Sequence, residues 1–262
     1  MKRAYVDIPE GQMHYRWEGE GEPLLLLHAA VTSSAEYNRL IPYLSKSYRA
    51  IAIDCLGAGE SDPAPFEYSI LDHTRTIVSF MDALGIKKAN VMGQFNGAMV
   101  ATELAVNWPE RVSKLVIAGT GFWEETEAKA LNEPDRFTAR NELQADGSHL
   151  TEWWRRAGMF GEYPTELIEE RVLEYVKAGP RGEEMHWAGA AYDLKPRLPL
   201  IKCPTLVLDA TYYLFHYLAQ DVADLIPNGK LTTIENGNMY LVRAMPKEAA
   251  EAVLDFLNSP AA

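Results

Sequence analysis

Gly93-Gln94-Phe95-Asn96-Gly97-Ala98 is the stretch on which the fold turns. It follows a short apolar run, Ala89-Asn90-Val91-Met92, and leads into a segment where Val100, Leu104 and Trp108 recur every fourth residue before Pro109. A continuous apolar run of that length reads as a buried strand, and the four-residue repeat as a helix that proline ends. The hexapeptide is therefore a tight strand-to-helix turn. Two glycines four residues apart mark where strand and helix crowd each other, and a bulky aromatic, Phe95, sits between them.

Outward from this turn the pattern repeats. Leu24-Leu25-Leu26-Leu27, Ala50-Ile51-Ala52-Ile53, Leu115-Val116-Ile117-Ala118 and Thr205-Leu206-Val207-Leu208 are further apolar runs, and a last strand is expected near Leu231. They lack the alternation of a sheet wetted on one face, so both faces should be covered. Helical patterns lie between them. Ser69 and Asp72 form a capping-box-like start, Ile70, Ile77, Met81 and Leu84 share a face, and Gly85 is a stop signal. Ala249, Ala250, Val253, Leu254 and Leu257 make one more amphipathic face near the end. Tyr5 to Ile8 and Met13 to Trp17 alternate instead, which reads as an antiparallel edge hairpin. Strand–helix repetition of this kind implies an α/β fold: a mostly parallel twisted sheet with helices on both faces.

Between about Gly121 and Leu198 the pattern changes. The stretch is helical, carries no convincing buried strand, and holds Trp123, Trp153, Trp154 and Trp187, with Glu124-Glu125-Thr126-Glu127 as a solvated helix start. The division expected is a core of residues 1–120 and 199–262 with a helical cap insertion at 121–198. Such an insertion would roof the carboxyl end of the sheet, where open α/β folds bind ligands.

The bulk numbers narrow the classes. A chain of 262 residues, 47% hydrophobic, can bury a full core. A net charge of −12 disfavours nucleic acid and anionic membrane surfaces as partners. Cys55 and Cys203 form neither a disulfide framework nor a metal-type spacing. No phosphate loop, dinucleotide fingerprint or His-rich pair is present, so no cofactor and no metal are expected. The amino-terminal residues lead into no apolar signal region, and no apolar run reaches the roughly 20 residues a bilayer needs. A reduced, cytoplasmic setting is the corresponding expectation.

Four features in order resemble the α/β-hydrolase family. His28-Ala29-Ala30 is similar to its oxyanion loop, and Asp54-Cys55-Leu56-Gly57-Ala58-Gly59-Glu60-Ser61-Asp62 to its Asp-x-x-Gly-x-Gly-x-Ser-Asp turn. The Phe95 hexapeptide stands at the Gly-x-Ser-x-Gly nucleophile elbow, and the last two strands lie where the triad's acid and histidine follow. The resemblance spans nearly the whole chain and implies an esterase- or lactonase-like scaffold. It also implies that three catalytic positions are substituted. Phe95 stands for the nucleophile, Tyr213 for the acid and Met239 for the base. A benzyl ring carries no attacking atom, a neutral phenol does not stabilise an imidazolium, and a thioether accepts no proton. A bulky residue at the elbow would also be strained by roughly 1–3 kcal/mol. The chain then reads as a pseudoenzyme, natural or deliberately altered.

The function expected is binding of a small apolar or aromatic molecule under the cap without covalent hydrolysis. Phe95, Tyr213 and Met239 would form the floor, and Trp123, Trp154 and His186 would belong to the roof. Oxyanion donors implied by the resemblance are the backbone N–H groups of Ala30 and Asn96, with His28 packing their loop. Cys55 reads as a buried hydrophobe, His216 as part of a following helix, and Asp209 as a carboxylate with no base to serve. Asp54 and Asp62 should bond backbone groups of the glycine turn. Two competing functions remain: an atypical hydrolase or lyase working through the backbone oxyanion hole and non-triad residues, and an interaction protein whose pocket is packed shut.

Overall fold

The computed structural model describes residues 1–122, 143–159 and 161–260. Eight strands form one sheet: β1 (Lys2–Ile8), β2 (Gly11–Glu18), β3 (Pro23–Leu27), β4 (Arg49–Ile53), β5 (Ala89–Gln94), β6 (Val112–Ala118), β7 (Thr205–Ala210) and β8 (Gly229–Ile234). The spatial order is β1-β2-β4-β3-β5-β6-β7-β8. β1 pairs antiparallel with β2, and β2 with β4; every later pairing is parallel. The alternating hairpin is thus at one edge, and the continuous apolar runs are the central parallel strands.

The helices among the described residues are α1 (Ile41–Leu44), α2 (Ile70–Ala83), α3 (Asn96–Asn107), α4 (Ser148–Ala157), α5 (Thr165–Ala178), α6 (Glu184–Ala190), α7 (Ala219–Leu225), α8 (Leu241–Ala244) and α9 (Pro246–Asn258). The inner sheet is buried on both faces because its parallel strands are mostly apolar on both, whereas the edge strand β8, Gly229-Lys230-Leu231-Thr232-Thr233-Ile234, is half-buried. Leu25, Leu27, Val91, Leu115 and Ile117 pack with α2 and α3 on one side. Leu24, Leu26, Met92, Val116 and Leu208 pack with α1, α8 and α9 on the other. α2 begins with the capping box expected: the Asp72 N–H donates to Ser69 Oγ, and the Ser69 N–H to Asp72 Oδ2. No helix among the described residues is long and apolar enough to cross a membrane.

α4, α5 and α6 lie in the stretch between β6 and β7, and no strand interrupts them among the described residues. Trp153, 2% exposed, holds α4 to α5 by stacking on Tyr175 at 6.3 Å. The acidic run at 124–127 lies outside the described residues.

Candidate functional site

The turn after β5 is as tight as its glycines require. A Cβ on Gly93 would overlap the Gly97 carbonyl, and one on Gly97 would overlap the Leu27 carbonyl. Phe95 takes φ 49° and ψ −113°, a conformation that L side chains avoid. It is fastened there, since its N–H donates to the Ala118 carbonyl at 2.9 Å and its carbonyl accepts from Ala98 at 2.9 Å. The ring lies over Gly119, whose absent side chain makes the room: a Cβ there would be 2.7 Å from Phe95 Cε1. Tyr213 meets the ring edge-on, with centroids 5.4 Å apart.

The carboxyl ends of the strands surround a cavity of about 200 Å³. Ala29, Ala30 and Thr32 after β3, Phe95 and Asn96 after β5, and Gly119 and Thr120 after β6 line it. Leu214 and Phe215 after β7 and Met239 and Tyr240 after β8 complete the lower wall. The upper wall comes from α4, α5 and α6, through residues such as Ala157, Tyr175, His186 and Ala190.

The structure brings Phe95, Met239, Ala30, Asn96 and His186 to this one cavity. The backbone N–H groups of Ala30 and Asn96 donate no hydrogen bond among the described residues. Thr120 Oγ1 is buried and has no partner among them either, so it is available to a ligand.

Other expected residues stand elsewhere. Tyr213 is not part of the cavity wall; it is 4% exposed and forms the layer behind Phe95. Its hydroxyl is buried with no partner among the described residues, and burial raises its pKa well above the usual phenol range. Trp154 does not face the cavity. About 100° per residue separates neighbours on a helix, so when Trp153 turns inward Trp154 turns out, and it is 42% exposed. Trp123 lies outside the described residues. His28 is fully buried behind the loop: Nδ1 donates to the Ala29 carbonyl at 2.7 Å, and Nε2 accepts from the Cys55 N–H at 3.1 Å. Both ring nitrogens are used, so His28 holds the loop to the end of β4. Cys55 is buried beside it.

Asp54 does secure the glycine turn, accepting from Glu60 N at 2.9 Å, Ser34 N at 2.6 Å and His14 Nδ1 at 2.8 Å. Burial opposes its charge, but these donors outweigh it and hold its pKa well below the carboxylate range. Asp62 accepts from Gln12 N at 2.8 Å. The reading of Asp209 needs correction. His216 Nδ1 stands 2.6 Å from its Oδ2, and Thr233 Oγ1 donates to it at 2.9 Å. The chain leaves β7 and turns back within seven residues, a return that sequence spacing did not disclose.

Sequence reasoning also missed the charged groups in the wall. Glu36 accepts from the Ala29 N–H at 2.9 Å and from Thr32 Oγ1 at 3.3 Å. Arg171 on α5 reaches down to the same loop, its Nη2 donating to the Ala30 carbonyl and its Nη1 to the Val31 carbonyl, each at 3.1 Å. Val31 has φ 55°, so the guanidinium clamps a strained segment. Burial disfavours the Arg171 charge, yet Tyr175, Tyr240, Glu174 and Glu36 more than offset it and raise its pKa. Arg243, 4% exposed, pairs with Glu174 at 2.6 Å and Glu170 at 3.1 Å. Burial pushes the Glu174 carboxyl up in spite of that pair. His186 Nδ1 lies 2.5 Å from Glu183 Oε2, and Glu183 is 3% exposed. Burial raises the Glu183 carboxyl, but His186, Arg156 and Arg171 outweigh it and leave it lowered. Only the Glu183–His186 pair had a signal in the sequence, because i,i+3 neighbours share a helical face. No cluster of three or more metal-type side chains gathers among the described residues.

An eight-stranded, mostly parallel sheet, with a glycine-flanked elbow after its central strand and a cavity at the strands' carboxyl ends, defines the hydrolase-like α/β class. Residues 22–195 match the profile of the alpha/beta hydrolase fold, and the chain belongs to that family. Haloalkane dehalogenase 2 of Mycobacterium tuberculosis (strain ATCC 25618 / H37Rv) is 38% identical over 120 residues, which is 45% of this chain and 42% of the dehalogenase's length. The 2-hydroxy-6-oxo-6-phenylhexa-2,4-dienoate hydrolase of Comamonas testosteroni is 28% identical over 232 residues, covering 79% of this chain and 76% of that one. An esterase from Exiguobacterium antarcticum superposes with a TM-score of 0.83 at 20% identity, over 97% of this chain and 99% of its own, a likeness of fold.

Proposed function

We propose that the cavity binds a small, mostly apolar or aromatic molecule bearing a carbonyl-type oxygen, and that it does so without forming an acyl-enzyme. In this reading residues 121–198 are a cap over a core of residues 1–120 and 199–262. The observation that carries it is the elbow itself: its glycines and strained φ persist, while the side chain it presents is a ring packed on Tyr213. An attacking oxygen and a proton carrier are both missing at positions 95 and 239. Nucleophilic acyl transfer therefore has no starting point there.

Binding has what it needs. Phe95, Phe215, Met99 and Met239 offer aromatic faces and polarisable sulfur to a flat ligand. The N–H groups of Ala30 and Asn96, together with Thr120 Oγ1, offer donors to one oxygen. The Comamonas relative is named for a phenyl-bearing oxo acid, a ligand class of the same general character.

The test is titration of acetophenone and phenylacetone by calorimetry, beside exposure to a serine-directed fluorophosphonate and to aryl esters. Saturable ketone binding that Ala190→Trp abolishes by filling the cavity, with no covalent labelling, supports the reading. Stoichiometric labelling with ester turnover, or ketone binding indifferent to Ala190→Trp, overturns it.

A further inference from the structure

Most of the cavity wall is accounted for by packing or by ion pairs that close on themselves. The Glu183–His186 pair is different: Nδ1 of His186 meets Glu183, and among the described residues its Nε2 has no hydrogen-bond partner. Glu183 immediately precedes α6 and is buried, while His186 projects from the first turn of α6 into the cavity. The 2.5 Å contact between Nδ1 and Glu183 Oε2 places the ring hydrogen on Nδ1, where the carboxylate accepts it. The free lone pair is then on Nε2, the nitrogen not facing Glu183. Among the described residues, Arg156 from α4, 3.7 Å from Glu183 Oε1, and Arg171 from α5 also place positive charge beside the pair.

α6 also sits directly against one oxyanion donor. Asn96 Nδ2 donates to the Met185 carbonyl at 3.0 Å, and a Cβ on Gly189 would overlap the Asn96 amide. The base and the two N–H groups therefore border one cavity from opposite sides, the base from the helical segment and the donors from the sheet. A fixed base and a pair of N–H donors lining one cavity are the groups that proton abstraction beside a carbonyl requires.

We propose that His186 is a catalytic acid–base residue that, positioned by Glu183, removes a proton from the carbon next to the carbonyl of a bound ketone-type ligand. This rests on the binding reading above. In the step, the C–H bond breaks and the Nε2–H bond forms. The C–H pair becomes the C=C bond of an enolate, and the C=O π pair moves onto the oxygen held by the Ala30 and Asn96 N–H groups. Returning the proton to carbon restores the ligand, or its isomer, and the neutral imidazole. Nothing else is consumed, and no residue at the elbow takes part.

Phenylacetone in D2O provides the test, with exchange of its benzylic hydrogens followed by proton NMR and its binding by calorimetry. The full chain should bind the ketone and speed exchange over buffer. At ketone concentrations that saturate it, His186→Gln should lose about 100-fold or more of the exchange rate. Glu183→Gln, which leaves the imidazole but removes the anion that orients it, should lose about tenfold. A measurement on the unaltered chain stands beside these. 2-Bromoacetophenone should alkylate His186 as Nε2 displaces bromide, mapped by mass spectrometry and blocked by phenylacetone. Binding without exchange, exchange undiminished in His186→Gln, or alkylation at some other residue overturns the proposal and leaves the binding reading intact. Absence of ketone binding by the unaltered chain overturns both.

Discussion

Replacing Phe95 by glycine and, separately, by alanine isolates the strain at the elbow. Both changes delete the same ring. Both lose its edge-on contact with Tyr213, about 0.5–1.5 kcal/mol, and the burial of a partly covered aromatic. They differ in one Cβ atom. At φ 49° and ψ −113° that atom keeps alanine in a region that costs about 1–3 kcal/mol, whereas glycine enters it freely. Glycine gives back about 0.5–1 kcal/mol through the greater freedom of its unfolded chain. At the middle of these ranges Phe95→Gly should therefore be more stable than Phe95→Ala by about 1 kcal/mol, the reverse of the ordinary order. With a urea slope of about 3 kcal/mol per molar, the midpoints should differ by roughly 0.4 M at equal slopes. Equilibrium urea unfolding followed by tryptophan fluorescence reads this directly. Equal midpoints, or alanine above glycine, would mean that residue 95 does not occupy an elbow, and the proposal that it stands at a nucleophile position would fail with it.

The triple change Phe95→Ser, Tyr213→Asp and Met239→His should create esterase activity on aryl esters and reactivity toward a fluorophosphonate, with each pairwise combination at least 100-fold lower, because triad members act as a unit. A folded triple variant with neither property would refute the assignment of these positions. Arg171→Lys and Arg171→Met should each weaken aryl ketone binding by roughly 5–30-fold, since neither side chain spans the Ala30 and Val31 carbonyls as the guanidinium does; unaltered affinity in both would remove the clamp from the account. His73 is 4% exposed, and burial lowers its pKa to about 4. The unfolded chain binds that proton near pH 6.5 and the folded chain does not, so stability is whole above about 6.5 and is lost as pH falls toward 4, in total roughly 3 kcal/mol. Urea midpoints measured across that window should flatten in His73→Phe, and an unchanged slope would contradict the burial argument. Asp54 acts lower still. Its depressed pKa stabilises the fold above about pH 4 and stops doing so in stronger acid, so Asp54→Asn should blunt acid unfolding in that range as followed by circular dichroism.

Much of this molecule was legible before any coordinates. The strands were readable because a parallel strand covered on both faces must be apolar at every position, as Leu24 to Leu27 and Val91 to Met92 are. The elbow was readable because only glycine tolerates carbonyl groups as close as those facing Gly93 and Gly97. The capping box at Ser69 and Asp72, and the retention of the Asp54 turn, are likewise local devices whose partners lie within a few residues or on the neighbouring strand end.

What the chain alone determined is the scaffold and the side chains standing at positions 95, 213 and 239, since periodicity and turn chemistry are written in adjacent residues. What only the tertiary structure decided is which groups share a space. Arg171 meets the Ala30 loop across some 140 residues of chain, Tyr213 withdraws behind Phe95, Trp153 and Trp154 divide between interior and solvent, and His216 folds back on Asp209. Those outcomes depend on the angle at which α4, α5 and α6 settle over the sheet, and helix packing is fixed by the summed fit of many side chains rather than by any short pattern along the chain.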